Sequence, residues 1–405
     1  MAVTKWLPTL LLWITASAAY AAILPEQRAD ILYHSYDGGG VTIDGPSVLV
    51  RKNINEKFSF SANYYVDMVT SASIDVLVRS EASSYTEERT ETSIGVDYLN
   101  DRTIMGITLA NSSENDYEAN TFAFSLSQEF FGDLSTLTMA FILGDDTVRS
   151  SETDDFESTL DRKRYSIGFS QILSKKLIAS FSYETVIDEG FLRNPYRSVR
   201  GTLNGTTGFI TPGQQRANGL CENDDLSQAA VGSECYPETR NSESFAVRGI
   251  YSLTPRSSIR AEYRVFSDSW GVESDNIELR YSRRFGNRWL IELRARQYNQ
   301  DKGADFYRDF INFGSTGTVR PTFFARDKEL SQYSSQQLGL GISYTFKSRN
   351  EFLNNSTLSF HWDHITFDYD DFRDFTEQAN GFAPGEEPLY SLDADVIRVF
   401  FSAYF

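Results

Sequence analysis

The sequence predicts an all-β fold, a closed transmembrane antiparallel β-barrel of about 16 strands, and three observations predict it. Short segments alternate in polarity along the chain. The last of them puts Ile397, Val399, Phe401, Ala403 and Phe405 on one face and Val396, Arg398, Phe400, Ser402 and Tyr404 on the other, as a strand does when one face lies in lipid. Beyond the first residues, no apolar stretch approaches the ~20 residues that a spanning helix needs. A sheet in hydrocarbon must then close, because open edges are not tolerated there. Finally, aromatic residues make up 14% of the chain, with 22 Tyr and 30 Phe. That favours a barrel, whose rims are anchored by amphipathic rings, over a soluble secreted sheet protein.

Taken in order, the elements begin with an expected signal peptide at 1–21. Lys5 precedes an apolar stretch over 6–14, and Ala19-Tyr20-Ala21 forms a small-x-small cleavage site. The mature chain, 22–405, is expected outside the cytoplasm as a multi-pass protein in the outer membrane of a Gram-negative bacterium. Period-2 alternation and turn residues predict strands over 28–36, 41–52, 57–69, 91–99, 103–111, 118–130, 134–144, 161–172, 176–187, 241–253, 257–267, 272–284, 288–299, 335–348, 353–367 and 394–405. Short turns at 53–56, 100–102, 131–133, 173–175, 254–256, 285–287 and 349–352 all fall on one side, which is expected to be periplasmic. Long segments at 70–90, 145–160, 188–240, 300–334 and 368–393 fall on the other, expected to be extracellular. Single-chain barrels divide their connections in this way. One ambiguity stands in the first quarter, where 72–78 could replace 28–36 as a strand without changing the total.

The formal charge of −18 excludes a nucleic-acid partner, since phosphate backbones require a basic footprint. It suits acidic loops facing the medium, with outer-membrane lipids as neighbours. Cys221 and Cys235 are the two cysteines. In an oxidising compartment they are expected to close a loop, worth roughly 3 kcal/mol in the chain-entropy model. Only His34, His361 and His364 are present, none near the cysteines, so no metal centre and no cofactor are expected.

Directing the apolar member of each alternation to lipid leaves the other facing inward. On 288–299 this puts Trp289, Ile291, Leu293 and Ala295 outside and Glu292, Arg294 and Arg296 inside. The two preceding strands place Glu278 and Arg280, and Arg260, Glu262 and Arg264, on the same inner wall. Two readings stay open for this ladder. It is a salt-bridge lattice that stiffens the interior, or its surplus Arg face a water path and select anions. Asp67, Asp97, Glu87, Glu88 and Glu91, together with Asp145, Asp146, Glu152, Asp154 and Asp155, are expected to make the opposite wall acidic, with a transverse field between the two.

Segment 188–240 far exceeds an ordinary loop, which points to function or disorder. Its start is dense in aromatic residues and Arg. Arg193, Asn194, Tyr196, Arg197 and Arg200 either fold into the mouth as a constriction or pack on the rim. Segment 300–334 carries Arg326, Asp327, Lys328 and Glu329, whose mixed charges predict docking onto 188–200. The cysteines are expected to staple the more solvated distal half, and Asp37-Gly38-Gly39-Gly40 to reverse the chain with positive φ. An enzyme is the main rival class. Ser359, His361 and Asp363 share a parity, yet residues two apart on one strand stand ~6.6–6.8 Å apart with parallel side chains. No catalytic residue is therefore expected, and His361 is expected at the rim among Phe360, Trp362 and Phe367.

Several stretches together resemble the bacterial outer-membrane family known as domain of unknown function 3570: RADILYHSYDGGG at 28–40, GPSVLVRK at 45–52, NYYVDMV at 63–69, SASIDVLV at 71–78, SSENDYEA at 112–119, DEGFLRNPYRSVR at 188–200, EYRVFSDSWG at 262–271 and ARDKELS at 325–331. The resemblance implies an outer-membrane barrel and transfers no activity. Through the family's gene neighbours, a flavin transferase and a small lipoprotein, it also implies a role beside a surface or periplasmic redox module. No flavinylation target of the Asp-Gly-x-Ser/Thr-Gly-Ala-Thr kind occurs in this chain. The function expected on all these grounds is a narrow polar or ion-selective channel partly occluded by inward-folded loops. The alternatives are a plugged barrel serving as a platform for a lipoprotein or redox assembly, and, more remotely, a rim-located hydrolase.

Overall fold

A computed structural model describes residues 22–71, 85–151, 155–217, 234–313, 321–347 and 355–405. The expected signal peptide, the 72–78 segment, the 349–352 turn, Glu152, Asp154 and Cys221 lie outside these residues. The strands are β1 (Arg28–Gly38), β2 (Val41–Ile54), β3 (Phe58–Ser71), β4 (Tyr85–Asn100), β5 (Thr103–Ser113), β6 (Tyr117–Phe130), β7 (Ser135–Arg149), β8 (Glu157–Ser174), β9 (Leu177–Gly190), β10 (Arg200–Leu203), β11 (Thr206–Phe209), β12 (Thr239–Thr254), β13 (Ser257–Asp268), β14 (Glu273–Phe285), β15 (Trp289–Lys302), β16 (Ile311–Asn312), β17 (Tyr333–Lys347), β18 (Asn355–Arg373) and β19 (Leu389–Tyr404). All but β10, β11 and β16 join in one closed antiparallel barrel of 16 strands. The seam between β1 and β19 runs from Arg28↔Tyr404 to Gly38↔Ala394.

All sixteen barrel strands coincide with those expected, and 28–36 is indeed a strand. Their ends at the long-loop side extend further than the alternation predicts: β8 begins at Glu157 and β18 continues to Arg373. The reason is physical. Past the hydrocarbon both faces of a strand meet polar surroundings, so hydrogen bonding continues after the apolar signal has stopped. At the opposite end the turns are tight, with Asn55, Glu56, Asp101, Phe131, Gly132, Asp133 and Gly286 at positive φ. The β1–β2 reversal corrects one expectation. Gly39 and Gly40 have φ of 59° and 76°, whereas Gly38 belongs to β1 and is needed for space, because a Cβ there would lie 2.3 Å from the Ala394 Cβ.

The outer surface is apolar, with Ile94, Leu279 and Leu293 about half exposed, as a lipid-facing band must be. Near the loop end the ring hydroxyls and the indole N–H meet carboxylates. Tyr33 donates to Asp44 at 2.7 Å, Tyr183 to Glu243 at 3.0 Å and the Trp362 Nε1–H to Asp395 at 2.9 Å. These pairs mark where the band gives way to polar surroundings.

The long connections are folded. β10, β11 and β16 form a small sheet of their own. One apolar cluster gathers Val199, Leu203, Ile210, Cys235, Ile311, Phe313 and Phe324. A second joins Trp270, Tyr307, Leu330, Tyr369 and Phe372. Cys235 is therefore buried in a core, not in a solvated distal loop.

Candidate functional site

The inner wall follows the alternation, and its register arranges the charges in rows. Arg260 stands directly opposite Arg280, and Arg280 opposite Arg294. One level along, Glu262 faces Glu278, and Glu278 faces Arg296. Pairing therefore runs partly along the strands: Arg260 to Glu262 at 2.9 Å and Arg280 to Glu278 at 3.2 Å. Arg248 shares Glu262 at 2.5 Å. Arg294 and Arg398 share the buried Asp363, the latter at 2.5 Å. Arg296 lies over the Tyr298 ring, 5.6 Å from its centroid, and Arg264 is exposed to the lumen. Among the described residues, Arg264 and Arg296 have no carboxylate within ion-pair distance. Glu292 accepts from the Ser282 hydroxyl at 2.9 Å. All eight expected lumen residues thus share one face, and two carboxylates are each claimed by two guanidiniums.

Sequence reasoning missed Asp363, Arg398, Gly339 and Gly341 as members of this wall. β17 separates β15 from β18, yet Arg294 and Asp363 meet across it because Gly339 offers no side chain. A Cβ at Gly339 would sit 2.1 Å from Asp363 Oδ1, and one at Gly341 would sit 2.8 Å from His361 Cε1. A cavity of about 510 Å³ opens here, lined by Arg28, Arg280, Arg294 and Arg398, by Asp30, Glu292 and Asp363, and by Leu32, Leu49, His361 and Phe400. The signal was present in the sequence as Gly-x-Gly on the inward parity of one strand.

His361 corrects the rim expectation. It lies in the lumen, stacked on Phe400 at 5.4 Å and 16°, while Phe360 and Trp362 point outward. The Ser359 hydroxyl donates to Ser343 at 2.8 Å and Asp363 is held by the two Arg, so the three residues do not form a relay. The acidic wall is corrected as well, since Asp97 pairs with Arg51, Asp67 with His34, and Glu91 with Arg89. Glu88 and Asp145 alternate with these inward residues and take the outer parity, and Asp146 accepts from Tyr117. Among the described residues, local pairing thus takes up Asp67, Asp97, Glu91 and Asp146, while Glu87 stays grouped with Glu114 and Asp116.

At the loop end, the docking expected between 188–200 and 300–334 is present. Arg197 pairs with Asp327. The Arg193 guanidinium donates to the Glu234 carbonyl at 3.1 Å, and Glu234 accepts the Arg326 N–H at 2.7 Å. Arg200, 1% exposed, grips the fully buried Glu387 with two bonds of 2.9 Å. Asp309 receives Arg200 at 3.4 Å and Arg326 at 3.1 Å. The Asn194 side chain accepts the Tyr196 N–H at 2.8 Å, and the Tyr196 hydroxyl donates to Asp116 and accepts the Ser151 N–H at 2.8 Å. Asp327 caps the turn Lys328–Leu330 by accepting from the Glu329 N–H. The segment therefore reaches the β5–β6 and β7–β8 connections on one side and the β18–β19 connection on another. Beneath it a cavity of about 710 Å³ is bounded by Tyr36, Tyr117, Arg162 and Tyr333 of the wall, and by Leu192, Asn194, Arg197 and Lys328 of the cap.

Burial pushes the Tyr236 hydroxyl well above its ordinary range, so it remains a donor to Glu234 at 3.0 Å. Burial alone would raise the Glu387 carboxyl, but hydrogen bonds from Arg200 and Gln378 outweigh it, and its pKa lies below the usual value. Among the described residues, one group could hold a metal ion by proximity: Glu87, Glu114 and Asp116, whose oxygens lie within 4.8 Å of one another. Arg89 lies 3.7 Å from Glu114, and Asp116 is bonded to Tyr196.

Fold and wall define a transmembrane β-barrel of the outer-membrane type. Residues 157–358 match the model of the family described as protein of unknown function (DUF3570), and the chain belongs to that family. No curated protein matches it in sequence. Among solved structures it is similar to the siderophore receptor PirA from Pseudomonas aeruginosa (9% identity, TM-score 0.41, 85% of this chain and 57% of that one). It thus spans little more than half the length of that receptor. It is also similar to a FadL homologue from Pseudomonas aeruginosa (9%, TM-score 0.42, 94% and 91%) and to a bacterial polysaccharide outer membrane secretin (7%, TM-score 0.46, 94% and 100%).

Proposed function

We propose that the protein is an outer-membrane barrel, not an enzyme, whose lumen admits small anions and whose extracellular mouth is narrowed by folded loops. The observation that carries this reading is the row Arg260, Arg280 and Arg294, three like charges directly opposite one another on adjacent strands. Like charges in that position destabilise a sheet, and a lattice built only for rigidity would alternate them. Rules broken in this way mark functional positions. The surplus guanidiniums face a water path inside a chain of net charge −18, which favours anions there. The short turns are periplasmic in this reading. A tag inserted at 205 is expected to be reached from outside intact cells, and Cys placed at 101 or 286 is not. Planar-bilayer recordings in a salt gradient are expected to show stepwise conductance with an anion-preferring reversal potential. The opposite labelling or a cation preference would refute the reading.

The second reading is a plugged barrel acting as a platform for a small lipoprotein or redox module, and the buried Arg200–Glu387 tie across the mouth favours it. Absent conductance, together with a lipoprotein co-purifying from native membranes, would decide for it. Cys221 and Cys235 are proposed to pair, and mass spectrometry of the protein folded in an oxidising compartment is expected to find no free thiol. Two free thiols would refute the pairing.

A further inference from the structure

We propose that the cavity at the turn end binds a small aromatic carboxylate, a solute with an anionic head and a flat apolar body. This rests on reading the lumen as an anion path and names the solute that the path would discriminate. The lining divides into two parts. On β14, β15 and β19 stand Arg280, Arg294 and Arg398, able to meet a carboxylate with paired N–H donors. On the adjoining strands β1, β2 and β19, Leu32, Leu49 and Phe400 form an apolar patch on the inward face. Such a patch is out of place in a polar lumen unless something apolar covers it.

Three further features fit the same solute. The volume of about 510 Å³ lies within the range of small-molecule sites. His361 and Phe400 lie nearly parallel, 16° apart, which presents a flat wall to a ring. Gly339 and Gly341, both in the lining, give up their own side-chain space to Asp363 and the His361 ring, which sit against the wall there. Asp363 carries two guanidiniums, and Arg398, the more exposed of them at 37% against 20% for Arg294, can turn part of its donor set to a ligand while Arg294 keeps the carboxylate paired.

Equilibrium dialysis of the full chain in detergent tests this, with benzoate, acetate and benzyl alcohol as probes. Benzoate is expected to bind at least about tenfold more tightly than either of the others, each of which offers half of the recognition. Arg398→Gln should lower benzoate to the level of benzyl alcohol without stranding Asp363. Phe400→Leu, which keeps apolar bulk and loses the flat face, should lower it toward acetate. Arg149→Gln, outside the cavity, should change nothing. Equal affinity for the three probes, or benzoate binding unaltered by both cavity variants, overturns the proposal. Anion-selective conductance without preference for benzoate sinks the site and leaves the anion path standing. Benzoate binding without such conductance sinks the path and leaves the site.

Discussion

Glu387→Ala is expected to loosen the extracellular cap and raise the single-channel conductance, with the barrel left intact. The substitution leaves Arg200, 1% exposed, without the carboxylate that holds two of its N–H groups at 2.9 Å. Removing one partner of a buried ion pair costs about 3–5 kcal/mol when the other charge stays uncompensated, and the lower end applies here because Arg200 keeps Asp309 at 3.4 Å. That energy falls on the cap and not on the sheet, whose closure does not pass through either residue. Hydrogen exchange should therefore report amides of β10, β11 and β16 opening on the order of a hundredfold more often, while those of β13 and β14 stay unchanged. Replacing both partners, Arg200→Met with Glu387→Leu, should restore most of the protection, since an apolar pair of similar volume is tolerated where a lone charge is not.

The same tie has a definite pH dependence. The Glu387 pKa is lowered by its bonds to Arg200 and Gln378, against the opposing pull of burial. The stabilisation is thus fully present above the unfolded carboxyl value, about 4.3, and is lost as pH falls through the lower folded value. Acid release of the cap should accordingly need strongly acidic conditions. In Glu387→Gln that acid-dependent part should vanish.

Much of this fold was legible because lipid enforces a strict period of two. β14 could be read to within one residue and β15 to within three, as Ile277, Leu279 and Leu293 had to point outward. The extensions of β8 and β18 were not legible, since beyond the hydrocarbon neither face is required to be apolar. The lumen ladder was visible residue by residue, but its rows were not. Whether Arg260 faces Arg280 or Glu278 depends on register, which tight turns and bulges set and composition does not reveal. Asp363 escaped for a related reason. Its partner Arg294 stands two strands away, and the meeting depends on the missing side chain of Gly339. His361 was misplaced because its apolar sequence neighbours suggested a rim, whereas Phe360 and Trp362 belong to the opposite face. The cap pairs, such as Arg200 with Glu387, join residues far apart in sequence through irregular backbone, where no periodicity operates.

Neutralising the arginine row is expected to abolish anion preference while sparing the fold. In Arg260→Gln, Arg280→Gln and Arg294→Gln combined, Glu262 retains Arg248 and Asp363 retains Arg398. Glu278 loses Arg280 and keeps only Arg296 opposite it on the neighbouring strand, beyond ion-pair distance. The buried Asp363 is therefore not stranded, and heat-modifiable migration of the barrel should persist. Each guanidinium contributes about 1 kcal/mol to a passing anion at 4 Å even in fully aqueous surroundings, and salt reduces this further. Three removed together should change the anion-to-cation permeability ratio on the order of tenfold. The reversal potential in a salt gradient should then move toward the cation side, and most clearly at low ionic strength. Arg149→Gln, paired with Glu157 at the loop end, should leave it in place. If the triple variant and the parent give the same reversal potential, the row does not select ions, and the like-charge register must be explained by the platform reading instead. Combining the triple variant with Glu387→Ala removes the remaining ambiguity. An opened mouth with unchanged selectivity would place the filter elsewhere, and an opened mouth with lost anion preference would fix it to these three strands.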